Sequence, residues 1–300
     1  MKYKSGEKDK KYEYIKNLYL TNSMTLRNIC KEYHIDRHSF SNFLKKQNIS
    51  TRKKISSDDC IFEKIDNEEK AYWLGFLYAD GSITYRDSYP TRYCLELGLK
   101  KDDVLHIDKF KSFMKSQRPI NFRLNTNSYK IMILSKKLCV DLIKLGCYPK
   151  KSLTLKFPTE QNVPNFLIRH FLRGYFDGDG CIQINYKNQL FKNCSILGTK
   201  EFLESMLVIL NLEKKVILKK DKRHLNNTYY IQFNLETSYY FLNLLYYNNN
   251  ISLQRKQDKY EFAVKCRNIL NYKGVISVKG VIPNTEINLT ISKELGHRNA

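Results

Sequence analysis

Two short stretches of the 300-residue sequence end alike. WLGFLYADGSI, from Trp73 to Ile83, and LRGYFDGDGCI, from Leu172 to Ile182, each carry small residues four apart, Gly75 with Ala79 and Gly174 with Gly178. Each then has an Asp followed by Gly, Asp80 with Gly81 and Asp179 with Gly180. Positions i and i+4 share a face of a helix, so each stretch predicts a helix with a strip free of bulky side chains. Two such helices can pack backbone to backbone. The glycine after each Asp suits a left-handed C-terminal cap. The carboxylates are then oddly placed, because an anion at a helix C-terminus opposes the macrodipole and two of them side by side repel. Bound divalent cations relieve both penalties, and oxygen ligands beside substrate phosphates are what Mg²⁺ prefers.

That chemistry is phosphodiester hydrolysis: metals between two carboxylates and a scissile phosphate generate the attacking hydroxide and stabilise the leaving oxygen. A duplex needs two cuts, and two copies supply them. Lys151 and Lys256 follow Asp80 and Asp179 by 71 and 77 residues, an equivalent place in each copy, where an ammonium steadies phosphorane charge or helps activate water. The alternative for these lysines is a solvated basic face. A calcium loop starting at Asp177 fails, because it needs Gly where Ile182 stands and Glu where Asn188 stands.

The elements that must position these residues repeat with a period near 100 residues. Alternating apolar and polar residues predict strands at Arg92 to Leu99, Tyr129 to Leu134 and Tyr229 to Leu235, and Leu- and Lys-rich helices at Val104 to Met114 and Phe202 to Leu210. Upstream, apolar residues at helical spacing fall in three groups, Ile15 to Tyr19, Leu26 to Tyr33 and Phe40 to Leu44. Thr25 and Asp36 stand where N-caps belong, and the tight His34–Ile35 connection reads as a helix-turn-helix. Its third helix exposes Arg37, His38, Ser41, Asn42, Lys45 and Lys46 to DNA. The competing reading is a helical hairpin packed on the main domain. The domains are thus 1–49, a DNA-reading helical module; 50–68, a basic linker; 69–165 and 166–266, the two repeats; and 267–300, a tail without an assigned role.

The chain holds 52 Lys and Arg against 30 Asp and Glu, a formal net charge of +22. Such a basic surface points to a polyanionic partner, DNA or RNA. The eight cysteines form no C-x-x-C pair, which argues for free thiols and against a structural zinc site. Nowhere do 18 apolar residues run together, and the charged start lacks an apolar signal core, so the expectation is a soluble intracellular protein with no membrane partner.

With its paired motifs, the chain from Glu69 to Ala263 resembles the LAGLIDADG (DOD-type) homing endonucleases in their two-motif monomeric form. The resemblance implies an α+β fold, αββαββα in each of two pseudo-symmetric halves, with the motif helices at the interface and each sheet forming a saddle on the DNA major groove. It implies metal ligation by Asp80 and Asp179, with lesser help from the carbonyls of Ala79 and Gly178. The family's basic active-site residues map onto Lys151 and Lys256, with Lys156 competing for the first. Base reading falls to strand residues such as Arg86, Arg92, Arg123, Lys130, Lys187, Lys192 and Lys219. The implied activity is a staggered double-strand break with short 3′ overhangs at a long site, by a monomer acting on double-stranded DNA in intron homing. Tyr78 stands where the family often has an Asp, but that position is not the metal ligand. The chain starts without a splicing nucleophile and ends HRNA, so the expectation is an intron-encoded or free-standing nuclease rather than an intein. Two other readings use the same scaffold: a non-cleaving transcriptional regulator, and an intron RNA maturase with structured intron RNA as partner.

Overall fold

A computed structural model describes residues 5–21, 25–49, 57–86, 89–213, 216–221 and 227–272. Side chains are described for fewer, so the assignments at Arg86 and Arg92 lie outside what is described, as does the whole of the basic stretch 50–56. The chain divides into two compact units, Met1–Ser56 and Ser57–Ala300.

In the first unit, α1 (Ser5–Thr21), α2 (Leu26–Glu32) and α3 (Arg37–Lys46) close around Tyr12, Ile15, Tyr19, Ile29, Cys30, Phe40 and Leu44. Both expected caps form: the Thr25 side chain accepts from Asn28 N at 3.2 Å and Asp36 from Ser39 N at 2.7 Å. His34 takes the left-handed turn position usually given to Gly, with φ of 49°. On α3, Arg37, His38, Asn42, Lys45 and Lys46 are exposed and Ser41 is half-buried.

The second unit runs through one order of elements twice. The first pass is α4 (Glu68–Asp80), β1 (Gly81–Arg86), β2 (Tyr89–Lys100), α5 (Val104–Phe113), β3 (Ile120–Arg123), β4 (Ser128–Leu134) and α6 (Lys136–Lys144). The second is α7 (Ile168–Asp179), β5 (Gly180–Asn185), β6 (Leu190–Gly198), α8 (Lys200–Ile209), β7 (Leu218–Lys220), β8 (Tyr229–Gln232) and α9 (Leu235–Tyr246); α10 (Gln254–Tyr272) follows. The fold is therefore α+β, αββαββα in each half. Each half holds a four-stranded antiparallel sheet, ordered β1-β2-β4-β3 and β5-β6-β8-β7. The registers correspond, with Gly81 opposite Leu97 and Gly180 opposite Ile196. One apolar core spans both halves, from Phe62 to Cys266.

Four expectations need correction. Gly81 and Gly180 cap their helices with extended backbone, φ of −75° and −87°, not left-handed. What excludes a side chain there is space: a Cβ on Gly81 would stand 2.6 Å from the Leu77 carbonyl oxygen, and one on Gly180 2.2 Å from the Phe176 ring. The strand expected over Tyr229 to Leu235 stops at Gln232, because Asn234 accepts from Thr237 N at 2.8 Å and starts α9. Residues 57–67, assigned to the linker, carry Phe62 and Ile65 into the core. The tail assigned from 267 begins as the last turns of α10, and residues 273–300 lie outside the described ones.

Candidate active site

Helices α4 and α7 end in the two carboxylates, and they meet as the small-residue strips require. A Cβ on Gly75 would stand 1.9 Å from the Phe171 carbonyl oxygen, and one on Gly174 equally close to that of Tyr72. At the C-terminal ends, a Cβ on Gly178 would stand 2.3 Å from the Ala79 Cβ and 3.1 Å from Asp80 Oδ2. The Asp80 carboxylate thus lies against the backbone that leads into Asp179. Burial pushes the Asp179 carboxyl up to about 6, and the neighbouring charge of Asp80 adds to the rise. Asp80 is open to solvent on one side, yet the protein around it also pushes its carboxyl upward, against the pull of Lys256 and Lys151.

The lysines occupy matching places. Lys151 is buried and donates to the carbonyl of Gly81, the residue after Asp80. Lys256 is buried and donates to the carbonyl of Gly180, the residue after Asp179, at 2.5 Å, and to that of Phe176. Burial lowers Lys256 to about 8, against the opposing pull of Asp177. Lys156 is exposed and lies beside Glu201, so it does not share the buried setting of Lys151 and Lys256.

A divalent ion fits this donor set. Among the described residues no group of three or more His, Cys, Asp and Glu side chains comes together. The protein supplies two crowded carboxylates, and main-chain carbonyls, water or substrate phosphate must complete the shell, as hard cations accept. In metal-free protein Asp179 should titrate near 6, above its ordinary 3.8, so its ionisation opposes folding. That penalty is complete above pH 6 and is relieved as pH falls through 6 toward 3.8. Carboxyl carbon NMR of metal-free protein should show the raised value, and adding Mg²⁺ should pull it down. A midpoint near 3.8 without metal would mean that the two carboxylates are not crowded together.

Beyond the helix ends lie the open faces of the sheets. In the second half a groove of about 850 Å³ runs from Asp179 past Cys181, Gln183, Ser195, Lys219, Tyr230 and Gln232. Lys219 lies on this face, Lys187 is exposed in the β5–β6 turn, and Lys192 is the unpaired residue of the β6 bulge between Phe191 and Asn193. The sequence reading did not name the groove amides Gln183 and Gln232, nor Asn193, which stands opposite Gln183. Strand parity counted from the buried Ile182 and Ile231 would have found Gln183 and Gln232. In the first half, Glu96 on β2 binds both assigned cations, Lys130 at 2.8 Å and Arg123 at 3.2 Å. That face therefore presents a linked acid and two bases where the other presents amides beside Lys219 and Lys220.

All eight cysteines are free thiols, and no helix among the described residues is long and apolar enough to cross a membrane.

Residues 167–260 match the family model of the LAGLIDADG-like domain. Among curated proteins, the chain is 27% identical over 175 residues to a probable translation initiation factor IF-2 of Methanocaldococcus jannaschii. It is also 27% identical over 262 residues to a replication factor C small subunit of the same organism. The stretches are 55% and 83% of this chain but 14% and 12% of those proteins, so the chain spans a small part of the curated relatives it matches. Among solved structures, the I-SmaMI LAGLIDADG homing endonuclease bound to cleaved DNA is similar with a TM-score of 0.47 and 13% identity, over 71% of this chain and 92% of that one. The I-LtrWI LAGLIDADG homing endonuclease bound to target DNA gives 0.46 and 12%, over 70% and 94%.

Proposed function

We propose that this chain, whose residues 167–260 are a LAGLIDADG-like domain, is a site-specific endonuclease that hydrolyses both strands of DNA with a divalent metal, Mg²⁺ in the first instance. The observation that carries the reading is the duplicated site: two carboxylates at paired helix ends, each followed by a glycine whose carbonyl holds a buried lysine. One copy of phosphodiester chemistry would suit a single-strand substrate; two related by the pass-to-pass repeat suit the two strands of a duplex. The net charge of +22 and the polar sheet faces suit the phosphates and base edges of such a partner.

In this reading Asp80 and Asp179 hold the cation, assisted by the carbonyls of Ala79 and Gly178. A cation bound there would activate water and offset charge on the leaving oxygen. Each lysine keeps a fixed ammonium beside its strand's phosphate and can hold a proton at Nζ. Of three donors, Lys256 spends two on carbonyls, which leaves one for a substrate oxygen. Charged side chains on β2, β3, β4 and β7 and the amides of β5, β6 and β8 read bases, and the exposed polar face of α3 adds a further contact. Both carboxylates are in place, which separates this reading from a regulator that binds without cutting. A staggered double-strand break that leaves short 3′ overhangs at a long site is the finer form of the proposal.

The test is to incubate the protein with a randomised duplex library in Mg²⁺, with Ca²⁺ as a binding control, and sequence the ends produced. Wild type should leave staggered ends at one long motif. Asp80→Asn and Asp179→Asn should bind that motif and make no double-strand break. Motif binding without cleavage in any divalent metal would remove the enzyme reading.

A further inference from the structure

The segment that delivers Lys256 belongs to the second half in sequence, where Arg173 of α7 donates to its Ile251 carbonyl at 2.8 Å, but much of its fastening comes from the first half. Glu68, at the start of α4, accepts from Asn250 N at 3.2 Å and from its Nδ2 at 3.0 Å. Lys109 on α5 donates to the Ser252 carbonyl at 3.4 Å. Leu253 N donates to Asp177 at 2.6 Å, and the same carboxylate oxygen accepts from the Tyr72 hydroxyl of α4 at 2.6 Å. Next to the lysine, Arg255 Nε lies 3.1 Å from both carboxylate oxygens of Asp103, the residue before α5. Asp103 is buried and the Arg255 side chain is half exposed, so the first half holds the fixed partner.

The counterpart segment before Lys151 is built otherwise. Leu145 accepts from Tyr78, Cys147 Sγ donates to the Leu77 carbonyl at 3.5 Å, and Tyr148 donates to Thr154, all within the first half. Among the described residues, its bonds to the second half come past the lysine, at Leu153 with Asn227 and at Leu155 with Thr199. One lysine is thus set by its own half and the other across the interface.

We propose that Asp103 is a positioning residue for Lys256, acting through Arg255 and the strap Asn250–Lys256. A charge-assisted hydrogen bond to a buried carboxylate fixes direction as well as distance, and Arg255 is covalently next to the lysine. Loss of this anchor frees the strap at one end, and displacement of a group by about 1 Å from a reacting phosphate costs on the order of a hundredfold in rate. The consequence for cleavage rests on the nuclease reading, whereas the anchoring itself does not.

The experiment compares wild type with Asp103→Asn, Arg255→Gln and the charge-keeping Asp103→Glu. Amide hydrogen exchange over 250–257 in metal-free protein should speed up by about tenfold in the first two and not in Asp103→Glu. On a duplex labelled on each strand, the same two variants should cut one strand at least tenfold more slowly and the other at the wild-type rate, with Asp103→Glu restoring both. Unchanged exchange in Asp103→Asn and Arg255→Gln overturns the proposal, as does equal slowing of both strands, which marks a general structural role. Should wild type cut neither strand, the nuclease reading falls and the exchange measurement alone decides the anchoring.

Discussion

Gly75→Ala and Gly174→Ala should each destabilise the second unit by about 3 kcal/mol or more, the upper end of what overpacking a core costs. Each new Cβ would lie 1.9 Å from a main-chain carbonyl oxygen of the facing helix, Phe171 for one and Tyr72 for the other. Neither oxygen can swing away as a side-chain tip could, so α4 and α7 must separate along the line that brings Asp80 and Asp179 together. Alanine's better helix propensity returns only about 1 kcal/mol, too little to offset the separation. At roughly 2–4 °C per kcal/mol for a unit of this size, the melting temperature should fall by about 10 °C. Gly98→Ala is the control: its Cβ would meet nothing nearer than 3.8 Å, on an exposed position of β2. Equal melting temperatures for Gly75→Ala and wild type would mean that the helices do not approach so closely.

The same glycines explain why so much of the geometry of the candidate site was legible in the sequence. A small residue at i and i+4 followed by Asp-Gly is a local pattern, and its recurrence after about 100 residues supplied the pairing without any long-range calculation. The lysines were legible for the same reason, since two copies of one fold put equivalent residues at similar distances from their motifs. What was not legible depends on contacts between distant strands. That Glu96 ties Lys130 and Arg123 follows from the register Glu96 opposite Met132 and Asn121 opposite Lys130, which alternation alone does not fix. The Glu68–Arg173 bond at 2.6 Å likewise joins residues 105 positions apart with no counterpart in the other half, where Leu74 stands in place of Arg173. Symmetry, the best guide to the site, is silent about the places where the two halves differ.

Asp177 is the sharpest of these differences, and Asp177→Asn should cost about 3 kcal/mol near pH 7, because an amide oxygen cannot serve all three of its buried donors and each one left unsatisfied costs about 1–3 kcal/mol. Its pseudo-equivalent in the first half is Tyr78, which donates to a carbonyl; Asp177 instead accepts from Tyr72 and Tyr246 hydroxyls at 2.6 and 2.5 Å and from Leu253 N at 2.6 Å. Burial pushes its carboxyl upward, while Lys256 and these donors pull it back. In return Asp177 is the foremost negative charge supporting the Lys256 ammonium, whose hydrogen bonds go to neutral carbonyls. With an amide in its place, Lys256 should fall below its present value of about 8 and lose its charge near neutrality. The sign follows from linkage. The folded state binds fewer protons at Lys256 than the unfolded state between about 8 and 10.5, so stability rises with pH across that window, and in the variant the window opens at lower pH. The deficit of Asp177→Asn in urea unfolding should therefore be largest near pH 7 and narrow by pH 10. Tyr246→Phe, which removes one hydrogen bond and no charge, should cost about 1–3 kcal/mol with little pH dependence. A deficit in Asp177→Asn that stays constant from pH 7 to 10 would show that Asp177 holds the strap through hydrogen bonds alone and does not set the charge of Lys256.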